Sequence, residues 1–456
     1  MTLLGMGGAG MLSGCRAKPA ALPKGAKVVV VGAGFAGISA AERLLEAGYD
    51  VIQIEAKSDM GGRVRTQMLG EYAADMGAGW LHDGYANGLR ETAESLDLVL
   101  HKTNMNKGVV LKGSGESVPL DNVADVSEEI EWAVTGPYLW WQLRQSIGLH
   151  PTLPSADALA GEALFESGLR GCGVRELART AYAADPADVS AGILFEGGDS
   201  EVLAGHTPLP SDDVIVQGGM LSLLRALVRR AKPAFEEPCL RITRTPQGVR
   251  VQTTKRMIDA DAVVVTVSVG VLKSGSLEFS PGLPAKHISA LDRLGFGSLE
   301  KLWLLCPETA NRSDIQVLTF CDEGPFGFAV NLSAVTGAPL WVGLSAGSRV
   351  DRLNELGIDR AADSLYRQVQ KALGAEISKP TATALSAWAE DPWVRGAYMY
   401  PTVNAEMNER AILQEPIEDR IFLAGEALSP TRFGLVDGAW ADGQRAADLI
   451  IKGDKS

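Results

Sequence analysis

The sequence predicts a Rossmann-like α/β domain built from discontinuous segments, with an α+β substrate domain of antiparallel sheet and helices inserted between them. Three observations predict it. Residues 27–66, KVVVVGAGFAGISAAERLLEAGYDVIQIEAKSDMGGRVRT, read as strand, glycine turn, helix and strand, closed by an acid and a second glycine pair. Apolar runs of the buried-strand kind return far along the chain, at Asp261–Val267 and Asp419–Glu426. From Pro284 to Ala389 the pattern changes to helix, several antiparallel-type strands, helix and strand. A chain of 456 residues is also too long for one small core, so two domains are expected.

The first strand, Val28–Val31, ends in Gly32-Ala33-Gly34-Phe35-Ala36-Gly37, which opens the helical pattern Ile38–Ala47. Gly32 permits the tight turn, Gly34 lets the backbone approach a pyrophosphate, and Gly37 lets helix and strand pack closely. The free N–H groups at the helix start, around Phe35 and Ala36, offer an anion site. The second strand, Asp50–Ile54, ends in Glu55, whose carboxylate can accept from a ribose hydroxyl. A glycine motif alone is weak evidence; flanked by strand, helix, strand and acid it marks a dinucleotide site. Gly61-Gly62-Arg63 follows, where a nicotinamide site has no general need of it.

Further along, 120–185 reads as helical, with patterns at Glu128–Leu143 and Ala158–Ala184. Val214–Met220 leads into a helix at Leu221–Arg230, Arg241–Thr253 suits a hairpin, and Asp261–Val267 a buried parallel strand. Leu299–Leu305, Ile315–Phe320, Phe326–Leu332 and Leu340–Leu344 read as strands, and Leu435–Ile451 as a closing helix. The division expected is a tail and linker at 1–25, cofactor-domain pieces at 26–100, 212–283 and 390–456, and substrate-domain pieces at 101–211 and 284–389. A ligand belongs where the two meet.

A composition of 46% hydrophobic and 22% charged residues is that of an ordinary globular chain. The net charge of −13 argues against a nucleic-acid partner, which needs clustered Lys and Arg. Five cysteines without a CxxC pair and five histidines without HxH or HExxH spacing write no metal site. Cys306 and Cys321, in apolar strand-like runs, read as buried free thiols. Thr2–Gly14 is apolar and small, and Leu12-Ser13-Gly14-Cys15 resembles a bacterial lipobox that would leave Cys15 lipidated at a membrane. No Lys or Arg precedes it, so the charged start of a signal peptide is missing. A start upstream of Met1, or a disordered tail on a cytoplasmic protein, both answer that.

Five further segments carry a family resemblance over most of the chain. They are Gly77-Ala78-Gly79-Trp80-Leu81-His82, Val265–Leu272, Leu294-Gly295-Phe296-Gly297 with Lys301, Trp388 with Asp391-Pro392-Trp393 and Gly396-Ala397-Tyr398, and Phe422-Leu423-Ala424-Gly425-Glu426. With Gly61-Gly62-Arg63 they resemble the flavin amine oxidases, most of all the polyamine oxidase branch. The resemblance implies FAD, with Gly62 and Arg63 reaching the pyrophosphate and flavin region, Gly79-Trp80 passing over the flavin, and Cys239 offering its backbone to the adenine. It also implies Gly425-Glu426 at the ribityl chain and Val436, at the start of the closing helix, at the flavin. No cysteine follows Cys321, so the FAD is expected to be noncovalent.

The same resemblance implies that Lys301 holds a water near the flavin. Read by itself, strand alternation puts Lys301 on the face of Leu299, Trp303 and Leu305, where strand twist or an edge would let it reach water, because an unpaired ammonium is costly to bury. Trp388, Trp393 and Tyr398 would line the flavin and one wall of an amine cage, since ring faces attract ammonium; plain core is the simpler reading, above all for Trp393. His82 would bind a distal amine or be a solvated loop histidine. Glu196, Asp199 and Glu201 are looser ammonium partners. The implied reaction takes an amine to an imine, hydrolysed to an aldehyde, with O2 reduced to H2O2; the partners are a small amine and O2. An L-amino-acid oxidase would need an arginine where Trp80 stands. A flavin-binding envelope protein without turnover remains the reading from another class.

Overall fold

The computed structural model describes residues 21–82, 88–104, 107–119, 169–190, 213–307, 315–321, 324–403, 405 and 408–453. The chain is built around two sheets. The first is four-stranded and parallel, in the order Asp50–Ile54, Lys27–Val31, Ala262–Val265, Ile421–Leu423. Its strands are runs of valine and isoleucine because both faces are covered, and Val28, Val29, Val30, Val263 and Val264 are fully buried. Each such side chain contributes about 1.5–3 kcal/mol of burial.

The first helix spans Phe35–Glu46, three residues earlier than the apolar pattern suggests, because Gly34 serves as its N-cap. Gly32 sits at φ +109, and a Cβ on Gly37 would lie 2.1 Å from the Gly32 carbonyl oxygen. That contact is the close helix–strand packing expected of the third glycine. The closing helix, Val436–Lys452, lies against the first one. A Cβ on Gly443 would meet the Ala36 oxygen at 2.2 Å, and Phe35 packs edge-on to Trp440 with centroids 6.2 Å apart. Arg43 and Asp448 pair across the same seam at 2.9 Å.

The second sheet has seven strands in the order 382–385, 299–305, 340–346, 328–331, 317–321, 108–112, 117–119, antiparallel except where 317–321 runs parallel to 108–112. Alternation along Leu299–Leu305 sorts its two faces. Leu302 and Leu304 join Phe320, Trp341, Leu353 and Leu365 under the long helix Arg349–Leu373. Leu299 and Trp303 join Val317, Phe328, Val330 and Leu344 on the other face. The helix Leu169–Tyr182 packs on strands 317–321, 340–346 and 108–112 of this sheet, and buried Arg349 grips its Glu176 with two bonds of 2.8 and 2.9 Å.

Cys321 is no free thiol but is disulfide-bonded to Cys172 on that helix, with Cα atoms 5.7 Å apart. The partners are 149 residues apart in sequence, so spacing carried no signal of the pairing. Cys306 is a buried free thiol, as read. The helical pattern at Glu128–Leu143, the acids Glu196, Asp199 and Glu201, and the Cys15 segment lie outside the described residues.

Candidate active site

A cavity of about 660 Å³ lies where the carboxyl ends of the parallel strands meet the second sheet. Its floor is backbone. Gly34 and Gly62 lie side by side, a Cβ on Gly62 falling 3.7 Å from the Gly34 Cα, and both line the cavity. The first helix and the closing helix both begin here with no side chain capping them, so their N–H groups and positive ends face the space. The helix Met220–Leu227 makes a contrast: its first N–H is taken by Asp75, at 3.1 and 3.0 Å.

Glu55 closes one end. Its two oxygens accept from Ala33 N at 2.7 Å and Lys57 N at 2.9 Å. Burial raises its pKa against those bonds, and lone pairs remain for hydroxyl donors. Cys239 lines the same end, its thiol pushed up to about 12 by burial. Beside it Glu237 is held by Thr253 at 2.9 Å and Arg256 at 2.8 Å. The set of a glycine cradle, two uncapped helix starts and a buried acid suits a dinucleotide.

Arg63 is pinned rather than free. It donates to Ala397 O at 2.9 Å and Glu426 Oε1 at 2.6 Å, with its guanidinium 5.4 Å from the Phe296 ring centroid. The other oxygen of Glu426 accepts from Gly434 N at 2.9 Å. Gly32, Phe35, Ala36, Gly79, Gly425 and Val436 also line the cavity; Gly37 does not, being spent on packing.

Lys301 projects from the second sheet into the cavity and is only 3% exposed, so the edge-strand reading gives way. Its Nζ donates to Gly77 O at 2.6 Å and Asp75 O at 3.3 Å, and stands 4.6 Å from the Trp80 ring centroid. Burial pulls its pKa down to about 8, with the Asp75 charge acting in the opposite direction. The Trp80 Nε1 has no hydrogen-bond partner among the described residues, an orphaned donor beside the cavity. Trp388 is buried, its indole donating to Met76 O at 2.9 Å and its backbone N to Glu300 at 2.7 Å.

Trp393 is 39% exposed at the cavity rim, so core packing does not account for it. The Tyr398 hydroxyl donates to Thr180 O on the helix Leu169–Tyr182, and burial raises its pKa. His82, its side chain 40% exposed, pairs through Nδ1 with the buried carboxylate of Asp213 at 2.6 Å. Arg432, also at the cavity, donates to His82 O at 3.0 Å and to Asp437 at 2.5 Å. The wall beyond Lys301 is apolar: Leu299, Val317, Phe328, Val330 and Leu344.

Sequence reading missed Asp75, Asp213, Arg432 and Thr180. Asp75 had a local signal, an acid closing a short alternating strand just before Gly77-Ala78-Gly79. The other three had none, for each is brought in by contacts between distant segments.

The model of the family described as flavin containing amine oxidoreductase matches residues 35–451. Lysine-specific histone demethylase 1 homolog 1 of Oryza sativa subsp. japonica is 30% identical over 463 residues, covering 95% of this chain and 53% of its own. Polyamine oxidase 4 of the same plant is 29% identical over 446 residues, 93% of this chain and 88% of its own. The chain spans about half the length of the histone demethylase homologues that it matches. Among solved structures, wild-type putrescine oxidase bound to putrescine shares the fold at a TM-score of 0.78, with 18% identity over 93% of this chain and 99% of that one.

Proposed function

This chain belongs to the flavin-containing amine oxidoreductases, whose cofactor is FAD, and from that premise we propose that it oxidises a polyamine or a related primary or secondary amine. The amine becomes an imine, which water hydrolyses to an aldehyde and a smaller amine or ammonia, while O2 takes the two electrons and two protons as H2O2. FAD, when bound, supplies the two-electron chemistry. The observation that carries the reading is Lys301, a buried amine donor placed between the dinucleotide cradle and an apolar wall.

The protein's residues then divide the work. Gly34 and Gly62 allow close backbone approach, the N–H groups of the first helix take phosphate oxygens, and Glu55 accepts from ribose hydroxyls. Arg63 and Glu426 stiffen each other beside Ala397, and the start of the closing helix at Val436 favours negative charge near it. With no cysteine after Cys321, the FAD is held without a thioether. Leu299, Val317, Phe328, Val330 and Leu344 exclude water from the amine's carbon chain, and Trp388 and Tyr398 form its aromatic side. The contact of His82 Nδ1 with Asp213, at 2.6 Å, would orient the imidazole beside the amine. Lys301 holds a water or proton at the cavity during reoxidation. The pieces at 26–100, 212–283 and 390–456 are read as the cofactor half, and 101–211 and 284–389 as the amine half.

The test is anaerobic bleaching of the yellow protein over a panel of amines: putrescine, spermidine, spermine, acetylated polyamines, an aromatic amine and a methyl-lysine peptide. At least one is expected to bleach it. Yellow protein that no amine bleaches would overturn the reading in favour of a flavin-binding protein without turnover. Bleaching by L-amino acids alone would favour an amino-acid oxidase, for which Arg432 is the nearby cation.

A further inference from the structure

Asp75 is a buried carboxylate that the proposed chemistry leaves without a task. It ends the strand Tyr72–Asp75 and is 5% exposed. Thr66 donates its hydroxyl to Oδ1 at 2.6 Å, and the first N–H of the helix Met220–Leu227 reaches both oxygens. Burial raises its pKa above the ordinary carboxylate value, while the Thr66 hydroxyl, the Lys301 charge and the Met220 N–H act in the opposite direction, toward the ionised form.

The carboxylate and Lys301 bound one small space. A Cβ built on Gly79 would lie 3.5 Å from Asp75 Oδ2 and 3.3 Å from Lys301 Nζ. Glycine at 79 therefore keeps open the gap that acid and amine share. The other ionisable groups around the cavity are turned to their own partners. Glu300, on the opposite face of the lysine's strand, is held by Ser386 and the Trp388 N–H; Glu426 pairs with Arg63, Asp213 with His82, and Tyr398 donates to Thr180 O.

We propose that Asp75 is a positioning residue for Lys301, the buried counter-charge that holds its ammonium against the Asp75 and Gly77 carbonyls and keeps it charged beside the cavity. A buried ammonium without a counter-charge gives up its proton. With Asp75 nearby and fixed on a helix start, the lysine retains a proton to lend at neutral pH. The kinetic consequence rests on the amine-oxidase reading; the electrostatic pairing does not.

The experiment is NMR titration of the FAD-loaded protein carrying 13Cε-lysine and 13Cγ-aspartate. The Lys301 signal is identified by its loss in Lys301→Met. In Asp75→Asn its midpoint is expected to fall by about one pH unit or more, and Asp75→Glu to recover part of the fall. An unmoved midpoint in a folded Asp75→Asn overturns the proposal. Should Asp75→Asn not fold, Lys301→Met carries the reciprocal test. Removing the lysine must raise one aspartate midpoint, because the coupling acts equally on both partners. No aspartate responding overturns the proposal as surely. The pH profile of flavin reoxidation by O2 is read in parallel and should move with the lysine midpoint. A midpoint that moves while reoxidation does not would spare the pairing and sink the role given to Lys301.

Discussion

Lys301 shows how one residue can carry two signals at once. Its pKa is depressed to about 8 by burial, while an unfolded lysine titrates near its ordinary value. Between those two values the unfolded chain binds more protons than the folded one. The lysine's contribution to stability is therefore lowest below about pH 8, rises through the interval, and is complete above the unfolded pKa. Urea unfolding of wild type, measured against Lys301→Met, is expected to gain in midpoint between pH 8 and pH 10. A flat difference would mean that the lysine is not depressed. The strand periodicity placed Lys301 on the face of Leu299 and Trp303, and it stands there. Burial statistics alone sent it to water, because they carry no information about the carbonyls of Asp75 and Gly77 that wait for it.

At the level of elements, the glycines of the opening turn separate cofactor binding from folding. A Cβ on Gly34 would meet its nearest neighbour, Gly61 O, at 3.6 Å, an ordinary contact, but Gly34 lines the cradle. A Cβ on Gly37 would press on Gly32 O at 2.1 Å. Gly34→Ala should thus fold with near wild-type apoprotein stability and bind FAD at least tenfold more weakly. Gly37→Ala should lose stability in the apoprotein itself, by about 1–3 kcal/mol as overpacking costs. Thermal melts of both apoproteins with FAD titrations would show it; equal losses in both quantities for both variants would refute the division. This turn was legible from sequence in the tight bend at Gly32 and the close packing at Gly37, since its geometry is local. The helix boundaries were off by a few residues, as at Ile38 against Phe35, because a cap depends on backbone angles that periodicity does not report.

Across the whole molecule, the Cys172–Cys321 bond ties the helix Leu169–Tyr182, which supplies Thr180 and Ala181 to the cavity, to the seven-stranded sheet. Closing so long a loop should stabilise the fold by about 2–4 kcal/mol. Reduction, or Cys172→Ser with Cys321→Ser, is expected to lower the unfolding midpoint accordingly, and the number of thiols reactive in denaturant should rise by two on reduction, above the thiols of Cys239 and Cys306. A thiol count that reduction leaves unchanged would show that the bond does not form.

What the sequence determined by itself was the dinucleotide unit, the alternation that puts Lys301 on the face of Leu299 and Trp303, and the order of motifs shared with the flavin amine oxidases. Those are local or periodic features, written in neighbouring residues. Only the tertiary structure decided the pairing of Asp213 with His82, the Arg63–Glu426 clasp, the disulfide, and the space that Asp75 shares with Lys301. Each joins residues that chain spacing leaves unrelated, and that meet because two sheets built from scattered strands bury their faces against one cavity.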